Sequence, residues 1–147
     1  PPPPPPPPPP LFFFNPEPGI PDAQESRGLG DVYKRQQLGC VTNKSEQFTH
    51  PLLKVLGIFN DFKIIISGDT LVKRKPDPMP LLYCAEHFNL KPEDCLMLGD
   101  SVSDVKAARA AGFDIICMSY GYNHGNNISV ENPDLVIDSM NQLSDHL

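Results

Sequence analysis

The stretch Leu96-Met97-Leu98-Gly99-Asp100-Ser101-Val102-Ser103-Asp104 most constrains what this chain can fold into. The apolar run from Cys95 to Leu98 has the length of a buried strand. Gly99 punctuates it, and Ser101 opens a helical pattern that runs to Ala111. A strand that passes straight into a helix is a unit of a parallel α/β sheet, where ligands bind outside the carboxyl ends of the strands. Asp100 at the strand end and Asp104 in the first helical turn can therefore point at one spot above that sheet. Carboxylate oxygens there suit a hard cation such as Mg²⁺, and a helix N-terminus favours a nearby anion such as phosphate. Asp at a helix start also serves as a plain cap, and that reading of Asp100 stands beside the first.

The same alternation continues through residues 37–147. Leu38 to Thr42 reads as a short strand ending in Thr42-Asn43-Lys44. Ser45 is placed to cap a helix carrying Phe48, Leu52, Val55 and Leu56 and stopped by Gly57; Pro51 in its middle predicts a late start or a kink. Lys63 to Ser67 is a second strand, β-branched and apolar enough for burial on both faces. A polar loop to Pro78 leads into a helix over Met79–Phe88, and Lys91-Pro92-Glu93-Asp94 turns into the strand at Cys95. In the helix over Val102–Ala111, Val105 and Ala108 face inward and Gly112 is the stop. Asp114–Met118 and Leu135–Ile137 are further strands, and Met140–His146 is a closing helix. Strands separated by helical crossovers define the fold class as α/β, a parallel sheet with helices on its faces.

The first 36 residues have a different character. They hold 13 of the 19 prolines, ten of them in an unbroken run that can form only polyproline II or stay disordered. Leu11-Phe12-Phe13-Phe14 is too short to be a core element by itself, and Asn15 to Gly30 shows neither helical nor alternating period. A polyproline arm can dock on SH3-like modules. However, Asp31-Val32-Tyr33-Lys34-Arg35-Gln36 resembles the translation of a sequencing-library adapter. The expectation is therefore a disordered, non-native leader over residues 1–36 and a native reading frame from about Gln37.

Charge and cysteine usage narrow the partners. Residues 37–147 carry 9 Lys+Arg against 14 Asp+Glu, a net of −5 with no basic run, which disfavours nucleic acid. Cys40, Cys84, Cys95 and Cys117 are isolated, and three lie in predicted strands, as buried reduced thiols do. No apolar run is long enough to cross a bilayer, and nothing resembles a signal peptide, so the expectation is a cytoplasmic protein without a membrane partner.

The chemistry-bearing residues fall at strand ends. The Thr42 hydroxyl and the amides after it can hold a phosphoryl oxygen, and Asn43 can add a donor, although Thr-Asn after a strand is also an ordinary turn. Lys75 sits in Lys73-Arg74-Lys75-Pro76-Asp77-Pro78, where the prolines restrict the loop. A lysine held there can neutralise oxygens that gain charge in a transition state, while Lys73 and Arg74 read as solvated cations.

In this order, Thr42, Lys75 in Lys-Pro-Asp-Pro, and Gly99-Asp100-Ser101-x-x-Asp104 resemble motifs two to four of the haloacid dehalogenase superfamily. Val41-Thr42-Asn43-Lys44, Lys75–Pro78, Tyr120-Gly121-Tyr122-Asn123 and Asn132–Asp138 are similar to its bacterial phosphoglycolate phosphatases. The resemblance implies Mg²⁺-dependent hydrolysis of a small phosphorylated substrate, 2-phosphoglycolate. It makes Asp100 a metal ligand, has Asp104 order the water shell of the metal, and has Thr42 and Lys75 grip the phosphoryl group, beside the donor that Asn43 can add. Other readings are a relative acting on a sugar phosphate or pyrophosphate, or a non-catalytic phosphate-binding or interaction module.

The departures from the family pattern are large. The first motif, a strand followed by Asp-x-Asp-x-Thr that supplies the nucleophile and the acid-base, has no counterpart, because no Asp-x-Asp occurs in the 147 residues. The helical cap that follows it is absent too. The expected fold is thus a truncated Rossmann-like core lacking its central first strand. The two inner edges left bare then predict a loosened, aggregation-prone domain, unless they pair directly or residues 11–36 fill the gap.

Overall fold

The computed structural model describes residues 1–3, 11–14, 37–120, 123, 125–139 and 141–143, with 11–14 described through their backbone. In chain order the elements are β1 (Leu11–Phe14), β2 (Leu38–Val41), α1 (Glu46–Val55), β3 (Ile64–Ile66), α2 (Met79–His87), β4 (Cys95–Gly99), α3 (Val102–Ala111), β5 (Asp114–Met118) and β6 (Leu135–Ile137). The strands form one sheet in the order β3-β2-β1-β4-β5-β6, with every neighbouring pair parallel.

The period of two along the central strands divides the core between the sheet's faces. Cys95 and Met97 of β4 and Ile115 and Cys117 of β5 join Val41, Leu81, Cys84 and the inner side of α3 in one buried cluster. Leu96 and Leu98, Ile116 and Met118 join Leu38, Cys40, Leu53 and Leu143 in the other. Full burial of a side chain such as Met97 contributes roughly 1.5–3 kcal/mol. The helix α3 presents Ala107, Ala108 and Ala111 to the sheet, all buried, so its axis lies close against β4 and β5. It ends at Gly112 with φ 83°, the left-handed C-terminal stop predicted there.

The central position is filled in one of the two ways the sequence left open, by a strand from residues 11–36. Leu11–Phe14 lies between β2 and β4, with Phe12 opposite both Leu38 and Leu96. The segment judged too short for a core element is therefore the middle strand, and the reading of a wholly disordered leader does not hold for these four residues. The physical reason is that the inner edges of β2 and β4 need backbone partners, and any extended aromatic tetrapeptide can supply them. Pro4–Pro10 and residues 15–36 lie outside the described residues.

The helix α1 departs from its sequence pattern in two ways. It begins at Glu46, without the late start expected, and Pro51 lies inside it. Its buried residues are Thr49 and Leu53, while Phe48 and Val55 of the predicted apolar stripe are 61% and 84% exposed. The Thr49 hydroxyl bonds the Lys44 and Ser45 carbonyls at 3.2 and 2.9 Å, so a polar residue fits the inner face. Ser45 is the N-cap residue, but the capping oxygen is Asp69 Oδ1, which accepts the Glu46 N–H at 2.9 Å. Of the closing helix over Met140–His146, Asn141–Leu143 are described and Leu143 is buried; the rest lies outside the described residues.

Candidate functional site

The strand order reverses on either side of β1, and α/β sheets place their ligands at such a switch point. Thr42 follows β2 and Asp100 follows β4, flanking β1 at the carboxyl edge. Both are buried, at 2% and 5% exposure.

Lys75 ties the two sides together. It arrives on the loop between β3 and α2, where the Lys75–Pro76 peptide bond is cis. Its ammonium is buried and donates to Val41 O at 3.0 Å and to Asp104 Oδ1 at 2.7 Å. Two of its three N–H donors thus join the end of β2 to the first turn of α3, leaving a third for a ligand. The loop is held by Asn43, whose Nδ2 donates to Lys75 O at 2.8 Å. Asn43 Oδ1 and Ser67 Oγ are buried atoms without a hydrogen-bond partner. Thr42 Oγ1 accepts the Lys44 N–H at 3.1 Å.

Asp104 has both carboxylate oxygens engaged. Oδ1 takes Lys75, and Oδ2 accepts from the Asp100 N–H at 2.9 Å and from the Ser101 N–H and hydroxyl at 3.1 Å each. Burial pushes its pKa up, but the Lys75 charge and these hydrogen bonds outweigh burial and hold the carboxyl below its ordinary value. Gly99 makes room for this arrangement, since a Cβ there would stand 2.4 Å from Asp104 Cβ.

All five sequence-predicted residues therefore sit along one edge, and a continuous set of contacts joins Asn43, Lys75, Asp104 and the Asp100 backbone. Sequence reasoning missed Ser67, at the end of β3, and Asn123, whose Oδ1 accepts the Val102 N–H at 2.9 Å. Asn123 stood in a motif already singled out, but nothing in its spacing marks a partner 21 residues away. The four thiols are buried and unbonded to one another, and burial raises those of Cys40, Cys95 and Cys117 to about 12, so they stay neutral.

A parallel sheet in this strand order, with buried Asp, Lys and Thr side chains at its switch point, defines a Rossmann-type α/β domain. The chain belongs to the haloacid dehalogenase-like hydrolase family, whose profile matches residues 30–118. It is 60% identical over 111 residues to a phosphoglycolate phosphatase of Nitrosococcus oceani, covering 76% of this chain and 49% of that protein. It is 50% identical over 103 residues to one of Thiobacillus denitrificans, covering 70% and 45%. Among solved structures, a predicted phosphoglycolate phosphatase from Haemophilus somnus superposes with a TM-score of 0.77 at 31% identity, covering 84% of this chain and 54% of that one. The chain spans about half the length of the curated relatives it matches.

The family implies Mg²⁺, and the residues present fit it in one respect. Asp100 and Asp104 are two buried carboxyl side chains at this edge, and oxygen donors of that kind suit a hard cation. Asp104 has both oxygens on protein donors, and Asp100 is the second buried carboxyl side chain at this edge. Mg²⁺ is commonly held through one or two carboxylates with the remaining positions filled by water. Among the described residues, no group of three His, Cys, Asp or Glu side chains converges on a metal position. No described helix is long and apolar enough to cross a membrane.

Proposed function

We propose that the chain is the C-terminal part of a Mg²⁺-dependent phosphoglycolate phosphatase, which converts 2-phosphoglycolate and water to glycolate and phosphate. The observation that carries this reading is the buried Lys75 ammonium bridging the ends of β2 and α3 at the switch point. The name of the relatives supplies the substrate. In this reading Lys75 gives its third N–H, Thr42 its hydroxyl, and Asn43 its other amide N–H to the phosphoryl oxygens. Asp100 holds Mg²⁺, which when bound neutralises charge on those oxygens. Asp104 orders the water around the cation indirectly, by fixing Lys75 and the turn at Asp100.

The attacking group lies outside this sequence. A carboxylate of the missing Asp-x-Asp-x-Thr motif displaces glycolate from phosphorus, and water then releases phosphate and restores the carboxylate. Positioning groups alone cannot replace that nucleophile, so the 147-residue chain is expected to be inactive.

Phosphate release from 2-phosphoglycolate with Mg²⁺ tests both statements. No turnover is expected from this chain, whereas the complete protein is expected to turn over and to lose most activity on Lys75→Met. Turnover by the chain that Asp100→Ala abolishes would overturn the inactivity. A complete protein that ignores 2-phosphoglycolate but cleaves a sugar phosphate or pyrophosphate would overturn the substrate.

A further inference from the structure

The segment after β5 reaches back to the start of α3 through the side chain of Asn123. Asn123 is 5% exposed, and its Oδ1 accepts the backbone N–H of Val102, the first residue of α3, at 2.9 Å. The first N–H groups of a helix have no acceptor within the helix. Here the Ser101 N–H is taken by Asp104, four bonds of which are already accounted for, and the Val102 N–H by Asn123. The backbone of Asn123 is itself fixed in a turn, since its carbonyl accepts the Asn126 N–H at 2.9 Å. The strand-to-helix bend at Asp100 is thus clamped from within by Asp104 and from outside by Asn123.

We infer that Asn123 is a positioning residue that sets the direction of Asp100 toward a divalent cation, an inference that rests on the functional reading above. Gly99 has no side chain, so the bend rests on the bonds of Asp104 to the Asp100 and Ser101 N–H groups and on the bond of Asn123 to the Val102 N–H. Freeing the Val102 N–H lets the first turn of α3 unwind and swing Asp100 with it. The side chain must be an acceptor of about this length. Alanine removes the bond. Aspartate keeps it, suits the positive end of the helix, and adds negative charge beside Asp100.

Calorimetric titration of the 147-residue chain with Mg²⁺, alongside amide exchange at Val102, tests this with wild type, Asn123→Ala and Asn123→Asp. Loss of a residue that orients a metal ligand commonly weakens metal binding about 10–100-fold, and Asn123→Ala is expected to do so with faster exchange at Val102. Asn123→Asp is expected to restore or exceed wild-type affinity. If Asn123→Ala fails to fold, Asn123→Asp decides alone, and Mg²⁺ binding weaker than wild type overturns the inference. A folded Asn123→Ala that binds Mg²⁺ as wild type does, while Val102 exchanges faster, makes Asn123 a plain helix cap and overturns this inference alone. A wild-type chain with no Mg²⁺ response overturns the functional reading, and this inference falls with it.

Discussion

Asp104 shows how one buried side chain can tie separate segments of the chain together. Its carboxylate is fully buried, paired with Lys75 at 2.7 Å, and accepts two backbone N–H groups and a hydroxyl through the other oxygen. Its pKa in the folded chain lies below the ordinary value of 3.8. The folded state therefore binds this proton less readily than the unfolded chain does. The stability this contributes is fully present above pH 3.8 and is lost as pH falls through that value toward the lower folded one. Asp104→Asn leaves the Lys75 ammonium buried without its partner, and breaking such a pair costs about 3–5 kcal/mol. Urea unfolding at pH 7 is expected to show that loss, and the wild-type advantage is expected to shrink at acid pH. An equal difference at pH 7 and in acid would mean that the pair does not set the acid limb.

At this scale the sequence announced which residues matter more readily than what they touch. Lys75 and Asp104 were legible because prolines flank one and a strand-to-helix turn carries the other. Their pairing across 29 residues was not legible, because it depends on how the β3–α2 loop folds back over β4. The Asn43 amide, read as a donor to phosphate, is also a brace for the Lys75 carbonyl.

Elements were legible in position and less so in phase. Every strand predicted between Leu38 and Ile137 is present, because short apolar runs bounded by turns permit few alternatives. The buried face of α1 was misjudged because its inward Thr49 is polar by composition yet satisfied by carbonyls one turn back. Its cap was misassigned for a related reason, since the oxygen comes from Asp69 on the loop after β3. Asp69→Ala removes that acceptor and, by the usual worth of a cap, is expected to cost about 0.5–2 kcal/mol. Asp69→Asn keeps an oxygen in place and is expected to cost less. Thermal unfolding of the two variants checks the order; equal losses would show that Asp69 acts on α1 through its charge and not through the hydrogen bond.

Over the whole molecule, the decisive element is the four-residue strand Leu11–Phe14, which the sequence offered only as an alternative to a bare centre. Without β1, the inner edges of β2 and β4 would face each other across an empty lane, bordered by buried residues such as Leu38, Met97 and Leu98. Each buried backbone group left unpaired costs about 1–3 kcal/mol. Only a few such groups are enough to consume a total stability of about 5–15 kcal/mol. Removal of residues 1–14 is therefore expected to abolish the cooperative thermal transition and to drive self-association through the bared edges. Phe13→Pro in the intact chain provides an independent version of the same test, because proline cannot donate to the ladder of a central strand. It is expected to reproduce most of the loss while leaving the proline run in place. Light scattering and thermal melts of both variants distinguish the alternatives. A truncated chain that stays monomeric and melts sharply would mean that β2 and β4 can close directly on each other, and the sheet would then need no sixth strand.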